Sequence, residues 1–271
     1  MITGAEERCG QSSTFLDLGQ KSNPKGEWTY VNDIALFTDR PPLSYFGVYN
    51  DKNESHTSHF LAIFARWYIS FYLATYLEDS ETYDIQTLLD VIKSSILKLN
   101  KINVSRYPIA NSGSSILVCI RIENHLLVTY MGDSAMYIVK NDGKYISGTP
   151  NANRFVSLVE VGKVTVIHPN LITLQEGSYR IVERTVFPYF RDSSLKQDIY
   201  EPDVFSYEIQ QSDSYLILGS NNFFEVSKID RISQLSAFSN PEKFLEMFKR
   251  FFNENDLKNT TGFLIKLNND A

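Results

Sequence analysis

The sequence predicts an α+β sandwich with antiparallel sheets inside and helices outside. Three observations carry this expectation. Short apolar runs bounded by turn residues recur along the chain, as strands do. Two segments with apolar residues at helical spacing follow the first of these runs. Tight turn signals then join neighbouring strands, and short turns force antiparallel pairing.

The first apolar runs lie at 34–37 and 44–49. Residues 60–77 are nearly all apolar or aromatic and read as a buried core helix. Arg66 falls in the first half of that stretch, and a central arginine costs about 2.5–3.5 kcal/mol on insertion into a bilayer, so the segment is not expected to span a membrane. A second helix follows, with Ile85, Leu88, Leu89, Ile92, Ile96 and Leu99 on one stripe and Asp84 placed to cap it. Strands are expected at 116–122, 126–130 and 136–139, with Glu123-Asn124-His125 and Asn141-Asp142-Gly143 as turns. Further strands are expected at 164–167, 204–209, 215–218 and 262–267. Between the last two, Pro241 opens a helix whose Phe244, Phe248 and Phe251 share a face.

The 271 residues suit one large domain, and no Pro/Gly/Ser-rich linker interrupts 26–268. Residues 1–25 carry Gly4, Gly10, Gly19 and Pro24 without any sustained period and read as a loosely packed lead-in. Hydrophobic residues at 43% and charged residues at 21% exclude a disordered composition. A net charge of −6, with no Lys/Arg cluster, argues against a nucleic-acid partner. Cys9 and Cys119 are too few for a disulfide framework or a thiolate zinc site, and no apolar signal segment is evident near Met1. A cytoplasmic protein with two reduced thiols is the expectation.

Two constellations invite chemistry and then lose it. His56 and His59 are spaced for a metal, with Asp51 and Glu54 nearby, yet no third soft ligand follows at a recognisable distance. Gly113-Ser114-Ser115 precedes a strand, whereas a nucleophile elbow needs a strand-turn-helix. Amides, meanwhile, stand where oxygen-ligand metal sites need carboxylates: Asn32, Asn50, Asn221 and Asn222. An amide keeps the shape and an oxygen but removes the charge that binds hard cations.

Six strings, in order over about 26–268, resemble segments of the metal-dependent protein phosphatase 2C family. Tyr45-Phe46-Gly47-Val48-Tyr49-Asn50-Asp51 resembles "FFGVYDGHGG", and Ser112-Gly113-Ser114-Ser115-Ile116 resembles "SGSTA". Met131-Gly132-Asp133-Ser134-Ala135 resembles "VGDSRA", and Glu201-Pro202-Asp203-Val204 resembles "EPEV". Residues 215–226 are similar to "FLILASDGLWDV", and Lys258-Asn259-Thr260-Thr261 to "DNxT". The resemblance implies a pair of antiparallel sheets flanked by helix pairs. It also implies two metal ions, held by acids at strand ends, that activate a bridging water against a phosphoester.

Carried over residue by residue, the resemblance implies a degenerate site. Asn50 takes the place of the bridging acid and Asp51 that of its glycine; the family's early acidic pair falls on Asn32 and Asp33. Asn221 and Lys258 replace two later acids, and the early phosphate-binding arginine falls near Trp28. A later Gly-Asp pair falls on Phe187 and Pro188, after Arg184. Asp33 and Asp133 remain, with Asp51 one position off on an extended segment, where successive side chains point oppositely. Three amides and one ammonium in place of four acids shift the local charge by five units. No metal and no cofactor are therefore expected, and no phosphatase activity.

Among inactive members, the resemblance is to the phosphatase-like adaptors of the transforming-growth-factor-β-activated kinase. Gly177-Ser178-Tyr179-Arg180 and Tyr200-Glu201-Pro202-Asp203 match their segments in order and spacing. In those adaptors the kinase-activating segment lies beyond the phosphatase-like domain, and this chain ends at Ala271, just after the expected last strand. A pseudophosphatase that binds a protein kinase of this type, or another signalling regulator, is the implied function. A residual metal-dependent Ser/Thr phosphatase is the alternative. Phe187, Tyr189 and Phe190 are candidates either for a binding surface or for the domain's own lid.

Overall fold

Strand alternation and two covered faces build the centre of this molecule. The computed structural model describes residues 6–9, 13–16, 26–34, 43–52, 57–78, 83–106, 113–132, 134–149, 164–168, 171–174, 177–182, 185–186, 202–220, 223–224, 229 and 262–267. Its elements in chain order begin with β1 (Glu6–Cys9), β2 (Ser13–Leu16), β3 (Gly26–Ile34) and β4 (Leu43–Lys52). The helices α1 (Thr57–Glu78) and α2 (Ile85–Arg106) come next, then β5 (Gly113–Ile122), β6 (His125–Met131), β7 (Ala135–Lys140) and β8 (Tyr145–Ser147). The remainder are β9 (Val164–His168), β10 (Leu171–Leu174), β11 (Gly177–Val182), β12 (Thr185–Val186), β13 (Asp203–Glu208), β14 (Asp213–Gly219) and β15 (Gly262–Lys266).

Two large antiparallel sheets stack face to face. One has the order β13-β6-β5-β4-β3 and the other β1-β2-β15-β14-β7-β8. Period-two alternation assigns each side chain of the first sheet to one of two cores. Tyr45, Tyr49, Ile116, Val118 and Ile120 pack with Ala65, Ile69 and Leu73 of α1 and Leu88, Ile92 and Ile96 of α2. The intervening Phe46, Val48, Leu117, Cys119 and Val128 pack with Met136, Ile138, Leu216, Leu218 and Ile265 of the second sheet. Because both faces are covered, β5 reads as an unbroken apolar run rather than an alternating one. Among the described residues the layers run helices, sheet, sheet, with the two helices outside the first sheet as expected.

Local signals hold where they were strong. Asp84 Oδ2 accepts hydrogen bonds from the Thr87 amide and hydroxyl, both at 3.0 Å, which caps α2. Glu123 turns the β5–β6 hairpin with φ 50°, and Gly143 turns β7 into β8 with φ 78°. Ile122 pairs directly with His125 across the first turn.

Elsewhere the structure corrects the sequence reading. Strand β3 at Gly26–Ile34, whose Trp28, Tyr30 and Val31 pair with β4 in register, was not expected before Ile34, and residues 35–37 of the expected run lie outside the described residues. The stretch 1–25, expected as a lead-in, contains β1 and β2, and Phe15 of β2 pairs with Ile265 at the edge of the second sheet. Backbone pairing to an open edge needs no apolar period, so the sequence carries little trace of it. A separate four-stranded sheet of order β12-β11-β10-β9 follows β8, of which only β9 was expected. Helix α1 is not wholly buried: Phe64, Trp67 and Phe71 are 49%, 65% and 64% exposed. No helix among the described residues is long and apolar enough to cross a membrane. The expected helix after Asn240, with Phe244, Phe248 and Phe251, lies outside the described residues, as do the side chains of His56 and His59 and the residues Phe187, Tyr189 and Phe190.

Candidate functional site

Strand direction alone gathers one end of the sandwich. Strand β4 arrives there with Asn50 and Asp51, which pair with Ser115 and Ser114 at the start of β5. Ile116 of β5 pairs with Met131, the last residue of β6. The chain then turns at Gly132, whose φ of 100° is a conformation that favours glycine, and passes through Asp133 and Ser134 into β7 of the opposite sheet. Ala135 at the start of β7 pairs with Gly219 at the end of β14, and Gly219 pairs with Gly262 at the start of β15. Asn221 follows Gly219 by two residues, and Lys258 precedes Gly262 by four.

Neutral hydroxyl groups lock this end. The Ser115 and Ser134 hydroxyls, both buried, hydrogen-bond across the gap between the two sheets at 2.7 Å. Thr149 Oγ1 accepts the Met136 amide at 3.1 Å, and Ser220 is 1% exposed just before Asn221. Phe223, fully buried, lies over the paired glycines: a Cβ on Gly219 or on Gly262 would come within 2.5 Å of its ring. Phe224 stacks edge-on against Tyr137, with ring centroids 4.8 Å apart.

The register separates residues that the sequence reading had grouped. Gly26 pairs with Asn50 and Glu27 with Tyr49, so it is the start of β3 that lies beside Asn50. Val31 pairs with Tyr45 and Ile34 with Leu43, so Asn32 and Asp33 form a bulge opposite Ser44. Ser44 is six residues from Asn50 along β4, about 20 Å at strand rise. By register Asn32 and Asp33 therefore do not join this end of the sandwich; the β3 residue opposite Asn50 is Gly26, and Glu27, opposite Tyr49, is one position off, on the face that alternation gives to the helix side. Trp28, set against Val48, is its neighbour. The side chains of Glu27, Asn32, Asp33, Asn50 and Asp51 lie outside the described residues, as do Asp133, Asn221, Asn222 and Lys258 as whole residues.

Solved structures match this arrangement along nearly its whole length. A bacterial serine phosphatase superposes with a TM-score of 0.63 at 14% identity, covering 96% of this chain and 98% of that one. Serine-threonine phosphatase 2C from Toxoplasma gondii gives 0.65 at 13% identity, covering 99% of each chain. The fold is that of the phosphatase 2C proteins. A C. elegans sex determining protein gives 0.66 at 17% identity, covering 94% of this chain and 64% of that one. No family model matches the sequence, and no curated protein matches it either.

In this phosphatase 2C fold, the described groups with displaced pKa lie away from the Asn50 end. Tyr83 is pushed up to about 12 by burial and by its 2.7 Å hydrogen bond to Glu123, in the turn at the opposite end of β5. Tyr207 is pushed up to about 12 by burial and by the bond it donates to Asp213. Burial raises the Cys119 thiol, which sits between the sheets. Each shift comes from core packing or an anchored turn.

Proposed function

We propose that this chain is a pseudophosphatase: a phosphatase 2C fold kept for its surface, acting as an adaptor or regulatory subunit of a protein kinase in the cytoplasm. The observation that carries this reading is the donor set at one end of the sandwich. Strand register brings Asn50 there, and in the sequence Asn221 follows Gly219 by two residues and Lys258 precedes Gly262 by four. By the resemblance these are acid positions, and two divalent cations need their charge. Setting Asn32 aside leaves a shift of four units toward positive, and Asp51 and Asp133 are the acids that remain. Such a set fits a metal pair poorly, so no hydrolytic step is derived for it.

The kinase of the transforming-growth-factor-β-activated type is the proposed partner, on the resemblance at Gly177-Ser178-Tyr179-Arg180 and Tyr200-Glu201-Pro202-Asp203. A residual metal-dependent Ser/Thr phosphatase is the second reading. It draws on the phosphatases among the structural neighbours and on the acids Asp51 and Asp133 in the sequence.

Two assays decide between them. The chain is expected to leave an aryl phosphate intact at millimolar Mn²⁺ and to bind the kinase in chelator. Metal-dependent turnover abolished by Asp133→Ala overturns the adaptor reading. Restoring acids with Asn50→Asp, Asn221→Asp and Lys258→Asp together should make the melting temperature rise with Mn²⁺ by mass action, while the parent chain ignores the ion. A parent chain already stabilised by Mn²⁺ favours the phosphatase.

A further inference from the structure

The outer face of α1 departs from what a surface helix should carry. Its buried side is set by Ala65, Ile69, Leu73 and Leu77, which repeat every four residues against the first sheet and α2. On the opposite side Phe64, Trp67, Phe71 and Thr75 follow at steps of three and four, so they form one stripe. The three aromatic residues are 49%, 65% and 64% exposed. Among the described side chains of α1, residues 64–65 and 67–77, none is charged. Thr75 of the stripe already donates its hydroxyl to the Phe71 carbonyl at 3.0 Å. Burying it therefore orphans no hydroxyl, and the indole N–H of Trp67 is the further polar group that must keep a partner on docking.

We propose that this stripe is a homodimer interface, in which α1 packs antiparallel against α1 of a second copy about a two-fold axis near Trp67. The spacing is self-complementary. Phe64 lies three residues before Trp67 and Phe71 four after it, which is about 4.5 and 6 Å along the helix axis. A two-fold axis at Trp67 sets Phe64 of one copy against Phe71 of the other, twice, as an isologous contact requires. The described side chains of the stripe bring no charge into the contact, and aromatic side chains are what interface centres favour.

Area sets the strength. Three aromatics of 150–250 Å² each, exposed to this extent, offer about 350 Å² per copy, near half of the ~800 Å² side of a standard interface. Tyr68 and Tyr72 flank the stripe half-buried, and Lys98 of α2 lies 4.3 Å from the Tyr72 ring centre as a polar rim. An area below that of a standard interface makes the dimer a weak, reversible one. A bilayer is the less suited occupant. Helices that lie in a membrane surface carry Lys or Arg on a solvent face, whereas the other face of α1 is in the core.

Sedimentation velocity on the full chain tests this. A dimer is expected at tens of micromolar, dissociating on dilution, with Trp67→Glu weakening it at least ~30-fold while far-UV circular dichroism and melting temperature stay unchanged. The register has its own test. Phe64→Glu and Phe71→Lys should each be monomeric alone and should form a mixed dimer when combined, because the two-fold axis places residue 64 opposite residue 71. A wild-type chain monomeric at hundreds of micromolar overturns the proposal, as does a dimer untouched by Trp67→Glu. A monomer that partitions onto phosphatidylcholine vesicles through Trp67 also overturns it, and assigns the stripe to a membrane instead. Mixed variants that stay monomeric refute the antiparallel register.

Discussion

Alanine at Gly262 should destabilise the protein through one side chain, Phe223. The ideal Cβ at 262 would sit 2.5 and 2.6 Å from two Phe223 ring carbons and 3.0 Å from a third. Those distances are far inside van der Waals contact, and the ring, fully buried, has little room to retreat. Overpacking of this kind costs about 1–3 kcal/mol, less the ~0.4–1 kcal/mol that Gly→Ala returns by restricting the unfolded chain. The net expectation is about 1–2 kcal/mol, which for a chain of this size lowers the melting temperature by roughly 2–8 °C. Phe223→Ala alone should cost about 3–5 kcal/mol through the cavity it leaves. Gly262→Ala made in the Phe223→Ala background should cost nothing or restore some stability, since its methyl group then enters that cavity. Urea unfolding of the four proteins measures the coupling, expected at about 1 kcal/mol or more. An equal cost for Gly262→Ala in both backgrounds would refute the steric reasoning, and with it the role of the Gly219–Gly262 pair as the seat of the ring.

Three further outcomes follow from groups already placed. Ser115→Ala removes the partner that the buried Ser134 hydroxyl has in Ser115 and should cost about 1–3 kcal/mol, while adding Ser134→Ala costs less than the sum of the two single replacements; chemical unfolding of the set reads this directly. Asp84→Ala should lower the melting temperature by removing the α2 cap. The Thr87 hydrogen bonds hold the Asp84 carboxyl below its ordinary range, so this difference is present above that range and fades as pH falls through it. Tyr207, raised to about 12 by burial and its bond to Asp213, favours the protonated form in the folded state. Its contribution is full below pH ~10 and lost as pH rises towards 12; difference absorbance should show Tyr207→Phe removing a late-titrating phenol.

Much of this protein is legible in its sequence wherever neighbours along the chain decide. The cap at Asp84, the stripe from Leu88 to Leu99 and the two-residue turn at Glu123–Asn124 each satisfy local backbone groups or one local face, so residue type and spacing suffice. The order of strands 44–49 through 136–139 is equally plain, because apolar runs between turn residues have few alternatives. Tertiary structure decided the rest. The bulge at Asn32 and Asp33 shifts the β3–β4 register, and that register sets two expected site residues away from Asn50 and puts Gly26 opposite it. Strand β2 exists because β15 offers it a hydrogen-bonding edge, and the outward turn of Trp67 depends on which side of α1 the first sheet covers. Backbone pairing is nearly blind to side-chain identity, so a register or an edge contact is chosen by the summed packing of distant segments, which no local window of sequence contains.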